Sequence, residues 1–519
     1  MKTNMRILAA LLCLVLMLTL LPAVSAEDTP GALELDLANG SLTIATTGYL
    51  VSGGSFIKYT GDYIIRYTGG GTNWLRLNNK LNCRITLDHV NMTATGTSCI
   101  RVEGGADVTL VLRGENRAAY SDTSRVGTAI SVTADSRLTI EAETETDSLE
   151  AVGGAYGAGI GSPADAGTVG SQIVINGGVI RATSGNEAAG IGGARKSGAQ
   201  VTVNGGNVTA TSLRNGAGIG AGREAPDGST VTVGGGVIHA VSRSNGNGIG
   251  GGFRSACSVL SVTKGIVSAT AGHKAIRGIG AGVDYVIGEE HPVSLLIGEQ
   301  ASVRSTTVGS AVPDVLNGRS ATAVTLPQAG GITVDGKFLT LEGSHADGEP
   351  DTYYFYYAPD SIHLASQGDK SAVLYAGKTV GSDAWKTASP DLVYVGYQQA
   401  SENSGKIGIR FITALKNSGV YESIGYVITV SGDAEAGFTG TATTIYGSMR
   451  GTNEAGHGFI AVRAEDYASD GLFGAVLRGV PATGNYTVSV LATATGTDGI
   501  VVCTGVYTYT VLGGVIAQN

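Results

Sequence analysis

The sequence predicts an all-β protein, with a right-handed parallel β-helix followed by a C-terminal β-sandwich. A Gly-Ile-Gly phrase returns five times at intervals of about 30 residues, centred on Ile160, Ile191, Ile219, Ile249 and Ile279. Two further phrases rich in Val, Ile, Thr and Ala recur in register with it. A period of roughly 20 to 50 residues indicates a solenoid. Three short strand signals per period, separated by turn glycines, indicate a three-sided coil.

The prediction of a sandwich depends on a different pattern, which begins near Leu392. About seven strand signals separated by turn residues follow, at 394–397, 407–411, 423–428, 443–446, 474–477, 486–490 and 505–510. Strands at such intervals are typical of β-sandwiches. Residues 392–519 are therefore predicted to form a separate accessory domain.

The chain begins with the pattern of a secretory signal peptide, predicted over residues 1–26. Lys2 and Arg6 form its basic end, an apolar stretch follows, and Ala23 to Ala26 form a cleavage site with small residues. No later stretch approaches the apolar run of about 20 residues that a membrane span requires. The protein is therefore predicted to be secreted and extracellular, with or without association with the cell surface, and to have no membrane span.

The remaining boundaries follow changes in the repeat. Residues 27–155 alternate without a tight period and are predicted to form irregular first coils and a cap, because an open stack exposes unpaired strand edges. Residues 156–327 carry the regular repeat. Residues 328–391 form a strand-rich connecting segment. Its aromatic run, 353–357, is interpreted either as an exposed sugar-stacking platform or as a region buried between domains.

Alternation along the regular coils predicts which side chains point inward. Val201 and Val203 should face the interior and Thr202 the outside. The isoleucines of the Gly-Ile-Gly phrase should form one internal ladder. Glycine on both sides of each isoleucine indicates tight corners or close backbone contact.

Composition supports a solenoid and limits the classes of function. The 519 residues include 81 Gly but only 8 Phe and 2 Trp, which is typical of a narrow β-solenoid interior. The net charge is −9, and removal of Lys2 and Arg6 with the signal peptide would make it −11. An acidic protein is a poor candidate for binding nucleic acid.

Four cysteines follow the predicted signal peptide: Cys83, Cys99, Cys257 and Cys503. Their spacing fits no zinc motif. Cys83 and Cys99 lie in neighbouring strand candidates, so they either form a disulfide or are small buried apolar residues.

Glu141, Glu143 and Glu145 alternate along one strand, which places three carboxylates on one face. Carboxylates are the ligands that calcium prefers. The alternative is a solvated outer face. No cofactor is predicted, and calcium remains an open alternative.

Basic residues dominate the regular coils. Residues 151–282 contain ten basic and four acidic residues, a local charge of +6. Six of the basic residues recur at similar distances from the repeat isoleucine, three after it (Arg195, Arg223, Arg254) and three before it (Arg214, Arg243, Lys274). Stacked coils would turn these into two basic columns. An acidic polysaccharide would relieve the repulsion between like charges. The alternative is that corner loops carry solubilising charge.

The sequence offers little support for catalysis. Glycoside hydrolases need paired carboxylates, but the acids of the regular coils are Asp165, Glu187, Glu224 and Asp227. Asp165 and Glu224 share an offset from the repeat isoleucine, yet they are two coils apart, so no paired-acid site is predicted. No serine or cysteine has a recognisable nucleophile motif. An active site in the irregular N-terminal coils is left open.

Residues 35–282 resemble a known group of repeat proteins. The resemblance is carried by an opening at 35–44, a Gly-Asp-Tyr step at 61–63, a strand at 85–90, and the later Gly-Ala-Gly-Ile-Gly and Val-Asn-Gly-Gly units. These features are similar to secreted repeat proteins of anaerobic Gram-positive bacteria. That group is described as carbohydrate-binding β-helix or surface-adhesin-like proteins and is similar in outline to the pectate-lyase-like superfamily. The resemblance covers about half of the chain.

Together, these patterns predict a secreted or cell-surface, adhesin-like protein that binds carbohydrate, with acidic polysaccharide favoured. The two basic columns are the predicted binding residues. Two alternatives remain. The first is a polysaccharide lyase or glycoside hydrolase of the parallel β-helix type, and the second is a passive surface scaffold that presents the C-terminal domain. No oligomeric state is predicted.

Overall fold

The computed structural model describes residues 31–122, 126–255, 257–282, 294–341, 343–345, 352–402, 405–432, 443–446, 450–452, 458–460 and 472–519. These residues contain strands, turns and three short 3-10 helices, Leu37–Asn39, Ser382–Ala384 and Ser418–Val420, and no α-helix. The all-β prediction is confirmed. The predicted signal peptide lies outside the described residues. In the part of the chain that is described, no helix has the length and apolar character needed to span a bilayer.

The coils stack through three ladders of parallel strands, termed faces 1, 2 and 3. Face 1 contains the Gly-Ile-Gly strands and their upstream counterparts: Leu42–Ala45, Leu75–Leu77, Ile100–Val102, Ile130–Val132, Ile160–Gly161, Ile191–Gly192, Ile219–Gly220, Ile249–Gly250 and Ile279–Gly280. The first residue of each strand aligns with the first residue of the next. The predicted isoleucine ladder is confirmed, and it continues upstream to Leu42. Two antiparallel strands, Gly48–Val51 and Ile57–Lys58, extend this sheet at its N-terminal end.

Faces 2 and 3 belong to one large sheet. Face 2 contains Leu33–Asp36, Tyr63–Gly71, Asp107–Arg113, Arg137–Ala142, Ser171–Ile175, Ala199–Val203 and Ser229–Val233. Face 3 contains Glu115–Tyr120, Ser148–Val152, Val179–Thr183, Asn207–Ser212 and Val237–Ser242. Three long strands contribute to both faces: Asn82–Ala94, Cys257–Ala271 and Ser294–Thr307. The irregular N-terminal coils therefore stack on the regular ones through the same ladders.

Burial follows the predicted alternation. Val201 and Val203 are fully buried, whereas Thr202 between them is only partly covered. Each buried Val or Ile side chain contributes about 1.5–3 kcal/mol relative to exposure. The second glycine of the phrase has a positive φ at Gly192, Gly220 and Gly250, and the next coil leaves no room there for a side chain. The glycines are therefore required by close backbone contact, as predicted.

Beyond the last coil the strands pair mostly antiparallel, but Thr379–Val380 pairs parallel with Arg319–Thr325. Strands Val315–Leu316, Arg319–Thr325, Thr352–Tyr357 and Thr379–Val380 continue the large sheet. A five-stranded sheet follows, formed by Lys337–Leu339, Ile332–Val334, Ile362–Gln367, Lys370–Tyr375 and Lys386–Thr387. In the aromatic run, Tyr353, Phe355, Tyr356 and Tyr357 are buried and Tyr354 is partly covered. Of the two interpretations of this run, burial is therefore the correct one.

The C-terminal residues form two larger antiparallel sheets and one short hairpin. The first sheet contains Leu392–Glu402, Lys406–Leu415 and Leu472–Pro481, and the second Thr443–Tyr446, Tyr421–Gly432, Asn485–Gly496, Val501–Cys503, Tyr507–Leu512 and Val515–Gln518. The hairpin pairs Arg450–Thr452 with Gly458–Ile460. Residues of both larger sheets share one hydrophobic cluster, with Phe411 and Phe473 from the first and Tyr426 from the second. All seven predicted strand signals fall in or overlap these strands.

Of the two alternatives for Cys83 and Cys99, the disulfide is not formed. Cys83, Cys99, Cys257 and Cys503 are all free. The Cys99 thiol is buried and donates a hydrogen bond to the Ala119 carbonyl oxygen at 3.3 Å. Burial raises the pKa of the Cys99 thiol to about 11 and that of the Cys83 thiol to about 12. Both therefore remain protonated thiols near neutral pH, as the alternative interpretation predicts.

Candidate functional site

A ladder of alternating charges lies in the turn that follows face 1. Its members are Asp165, Lys196, Glu224 and Arg254, and each has a left-handed backbone with φ between 53° and 57°. Their backbone N–H groups donate from one coil to the next, from Asp165 to Arg195 O at 2.8 Å and from Lys196 to Arg223 O at 2.7 Å. These four residues, termed the charge ladder, therefore occupy equivalent positions on four successive coils. The left-handed conformation costs a non-glycine residue roughly 1–2 kcal/mol.

Arginines precede two of the four ladder positions, Lys196 and Glu224, and add further ion pairs. Arg195 binds Asp165 through two nitrogens, one of them at 3.0 Å. Arg223 donates to Glu187 at 2.6 Å and to Glu224 at 2.8 Å. The hydrogen bond to Asp165 raises the pKa of the Arg195 guanidinium. Burial alone would lower the pKa of Arg223, but its bonds to Glu187 and Glu224 raise it overall.

Two aromatic rings support these guanidinium groups. The Arg195 guanidinium carbon lies 3.9 Å from the centroid of the Tyr156 ring. Arg223 and Arg254 lie 5.8 and 5.3 Å from the Phe253 ring centroid. Cation–π contacts of this kind contribute about 0.5–1 kcal/mol at exposed sites. They hold the guanidinium planes in place on the outer surface.

The structure changes the interpretation of the first predicted column. Arg254 is in register with Glu224, because Glu224 N donates to Phe253 O at 2.9 Å. The Arg254 guanidinium lies 4.0 Å from the Glu224 carboxylate. Each arginine of this column therefore faces a carboxylate, and the repulsion between like charges that the sequence predicts is offset within the protein.

The second predicted column is different in this respect. Arg214, Arg243 and Lys274 lie in the turns between face 3 and face 1 and are exposed. None of the three forms an ion pair with another residue that the structure describes. We term these three residues the basic corner. Ser212 pairs with Ser242 on the next coil. Arg214 follows Ser212 by two residues, whereas Arg243 follows Ser242 by one, so the two arginines are not directly above one another.

Asparagines link the turns of the basic corner. Asn245 N donates to Arg214 O at 2.8 Å, and the Asn245 amide donates to the Asn215 side-chain oxygen at 2.5 Å. Lys274 N donates to Ser244 O at 2.9 Å. The backbone of the corner is therefore fixed, while the cationic side chains extend into solvent.

A groove of about 600 Å³ lies at the corner between faces 2 and 3. Stacked Asn-Gly-Gly turns form its floor, and the Asn204 amide donates to the Asn176 side-chain oxygen at 2.9 Å. Lys264 and Thr340 contribute to its walls. The sequence contained a signal for this feature, the recurring Val-Asn-Gly-Gly phrase, but it was not predicted to line a groove.

The three alternating glutamates do not share a site. Glu141 accepts a hydrogen bond from Arg84 at 2.8 Å, and Glu143 pairs with Arg113 at 2.6 and 2.8 Å. The bond from Arg113 lowers the pKa of Glu143. Within the described ranges, no group of three or more His, Cys, Asp and Glu side chains has a geometry that could hold a metal ion. Two of the carboxylates are thus occupied by arginines.

The sequence did not predict a hydrogen-bonded chain through Ser361, His363 and Asp335. Ser361 Oγ lies 2.9 Å from His363 Nε2, and His363 Nδ1 lies 2.6 Å from Asp335 Oδ2. Residues i and i+2 of a strand point to the same side, so the sequence does indicate that the side chains of Ser361 and His363 are neighbours. No local pattern connects them to Asp335, which belongs to a different turn.

A family model described as "Beta helix repeat" matches residues 173–195 and 201–223. Each matched segment runs from a face 2 strand through face 3 and the next Gly-Ile-Gly phrase, and they end at Arg195 and Arg223. The match supports a β-helix family for this part of the chain. No curated protein matches the sequence.

Proposed function

We propose that the protein is a secreted or cell-surface, adhesin-like protein that binds acidic polysaccharide at the basic corner. The β-helix repeat is consistent with a surface or carbohydrate-related protein. The proposal includes right-handed coils and a sandwich formed by the two C-terminal sheets. It depends most on one observation: three exposed cations on successive coils have no ion-pair partner among the described residues.

The six predicted binding residues divide into two groups with different electrostatics. Arg195, Arg223 and Arg254 already face Asp165, Glu187 or Glu224. A polyanion would have to compete with these carboxylates for the arginines, so the favourable free energy of binding there would be small. The basic corner has no such competitor in the described structure. Its charge is therefore available to an external anion.

Spacing favours a linear ligand. Neighbouring coils are about 4.8 Å apart, so the three cations span roughly 10 Å along the coil axis. The Debye length is about 8 Å at roughly physiological ionic strength, so adjacent cations of the corner act on the same segment of a polyanion. Arg214 and Arg243 can each bind a carboxylate through two parallel N–H bonds. A uronic acid polymer lying along the coils would supply such carboxylates in series.

Binding of polygalacturonate to the mature protein at low and high salt tests the proposal. We expect binding that weakens with salt and is lost, by about tenfold or more, in the triple variant Arg214→Ala/Arg243→Ala/Lys274→Ala. Two controls apply. The triple variant Lys378→Ala/Lys406→Ala/Lys416→Ala removes the same charge from exposed positions outside the coils and should bind normally. The variant Arg195→Ala/Arg223→Ala/Arg254→Ala should also retain most binding if it stays folded.

Each contrary result identifies an alternative. Absence of binding to any acidic or neutral polysaccharide would favour the passive scaffold. Binding lost only in the variant of Arg195, Arg223 and Arg254 would transfer the site to the first column. Release of unsaturated or reducing sugar ends would show that the coils carry a lyase or hydrolase.

A further inference from the structure

A turn and a strand of the five-stranded sheet bring a serine, a histidine and an aspartate together. Asp335 follows strand Ile332–Val334 in a left-handed turn with φ 47°, and its N–H donates to Leu364 O at 2.9 Å. Val334 pairs with Ala365, which places this turn beside His363. Ser361 lies immediately before strand Ile362–Gln367, two residues from His363, so both side chains point to the same side.

Both carboxylate oxygens of Asp335 are fixed. Oδ1 accepts hydrogen bonds from Leu364 N at 3.0 Å and from Thr429 Oγ1 at 2.9 Å, and Oδ2 faces His363 Nδ1 at 2.6 Å. An ionised carboxylate only accepts hydrogen bonds, so in the neutral imidazole the proton belongs on Nδ1. The lone pair of Nε2 then faces the Ser361 hydroxyl at 2.9 Å. The Tyr357 ring stacks on the imidazole, with centroids 3.8 Å apart, and restricts its rotation.

Ser361 is the accessible end of this hydrogen-bonded network. His363 is buried and only 13% of the Asp335 side chain is exposed, whereas Ser361 is partly exposed. Ser361 lines a cavity of about 250 Å³ whose walls include Lys337, Glu299 and Ser431. Pockets for drug-sized ligands are usually about 300–1,000 Å³. The space therefore suits a small acyl group, with the alcohol part of an ester outside.

The hydrogen-bonded order serine, histidine, aspartate is the order found in enzymes that use a serine nucleophile. A serine becomes a nucleophile when an adjacent base accepts its proton, and a carboxylate behind that base fixes its tautomer. We propose that Ser361, His363 and Asp335 form a hydrolase site that cleaves small acyl esters. The proposal is independent of carbohydrate binding by the basic corner.

The reaction balances without a cofactor. Ser361 Oγ would attack the ester carbonyl carbon while its proton passes to His363 Nε2. The bond to the alcohol oxygen breaks, the alcohol leaves with the proton from His363, and the acyl group remains on Ser361. Water then attacks the acyl carbon while its proton passes to His363 Nε2. The bond between the acyl carbon and Ser361 Oγ breaks, His363 returns the proton to Oγ, and the carboxylic acid is released. Asp335 acts through His363 as a positioning residue.

The Ser361 hydroxyl has a second hydrogen-bond acceptor, and it must turn away from that acceptor before it can attack a substrate. The Ser361 hydroxyl also lies 2.7 Å from the Ala358 carbonyl oxygen. Its proton can be donated to only one acceptor at a time, so attack requires the rotamer that donates to His363. A network that only connects the strands would keep the bond to Ala358 and show no reactivity at Ser361.

Labelling with a fluorophosphonate probe, followed by mass spectrometry of the peptide that contains Ser361, tests the site in the full mature chain. We expect modification at Ser361 in the wild type and in the control Ser382→Ala, whose serine is exposed in the 3-10 helix Ser382–Ala384. Ser361→Ala and His363→Gln should lose it. Hydrolysis of p-nitrophenyl acetate should fall by about 10³-fold or more in both. Asp335→Asn should lower kcat while KM stays the same.

Folding of each variant is checked by its melting temperature. Ser361→Cys provides a second measurement, because a folded variant with this substitution should be alkylated by iodoacetamide at residue 361 faster than at the buried cysteines. A wild-type protein that is unlabelled at Ser361 and hydrolyses the ester no faster than Ser361→Ala would overturn the proposal. The network would then be a structural link between the five-stranded sheet and strand Tyr421–Gly432.

Discussion

Gly220 lies directly against Gly250 of the next coil. The two residues are paired in register, and a methyl group on Gly220 would stand 2.1 Å from the Gly250 carbonyl oxygen. Gly220 also has a φ of 134°, which residues with a side chain rarely adopt. The same contact recurs at Gly161, Gly192 and Gly250. The spacing of the coils along face 1 is therefore set by backbone against backbone.

Gly220→Ala should reduce the free energy of unfolding by about 2–5 kcal/mol, because backbone strain and overpacking add. Gly167→Ala is the matched control. Gly167 has a φ of 65°, but a methyl group there would meet no atom within 4 Å. This control should cost only about 1–2 kcal/mol. Denaturation in urea measures both variants, and equal losses would show that contact between coils is not what requires glycine.

Ile219→Ala tests the interior of the coils. Ile219 is fully buried in the middle of the face 1 ladder. Truncation should cost about 2–5 kcal/mol through lost burial and the cavity it leaves. Thr202→Ala, on the outer side of face 2, should change stability by no more than about 0.5 kcal/mol. If the threonine variant were the less stable of the two, the assignment of inside and outside would be incorrect.

Glu224→Lys tests the charge ladder. It would place a third cation between Lys196 and Arg254 and remove a partner of Arg223. We expect a loss of about 1 kcal/mol or more in low salt, partly recovered in high salt by screening. Asp227→Lys makes the same change of charge at an exposed residue of the same turn and should have little effect. Melting temperatures at two salt concentrations measure the difference.

His345 should make stability depend on pH. Its Nε2 lies 2.7 Å from Ser302 Oγ, and burial, followed by Arg304 and His239, lowers the pKa of His345 to about 3. The unfolded chain has the ordinary value of about 6.5, so between the two pKa values the unfolded state binds an additional proton. The contribution of His345 is therefore fully present above about pH 6.5 and decreases as the pH falls towards 3.

Comparison with His345→Gln isolates this group. Between about pH 4.5 and 6, the wild type should lose stability more steeply than the variant, by at most about 1.4 kcal/mol per pH unit. Urea denaturation at several pH values gives both slopes. Identical slopes would mean that the imidazole is protonated in the folded protein.

The period of the chain was enough to predict the coils, because each turn of the solenoid repeats the same strand positions. Extension of the ladder to Leu42 and Leu75 was not predicted, since the N-terminal coils lack the glycines that mark the later phrases. Their apolar residues fill the same interior without the same close backbone contacts. Packing therefore preserves a ladder over a longer stretch than the sequence motif shows.

The charged residues show that offsets must match to the residue, and that they do not reveal every contact. Arg254 was grouped with Arg195 and Arg223, although it follows its isoleucine by five residues and they follow theirs by four. Glu224 also follows its isoleucine by five residues, and the structure places Arg254 in register with it. Glu187 precedes its isoleucine, yet its carboxylate contacts Arg223 because the chain folds back around the short face 1 strand. Such contacts depend on the path of a turn, which a count of residues does not contain.

The charge ladder repeats every two coils, whereas the apolar interior repeats every coil. Removing the single coil that carries Lys196 would bring Asp165 opposite Glu224, two carboxylates at one coil spacing. Removing two coils would restore opposite charges. A pair of coils, rather than one, is therefore the unit that duplication or deletion can copy or remove without placing like charges in contact. The charge ladder thus favours coils in even numbers, which limits how such a protein can change its length during evolution.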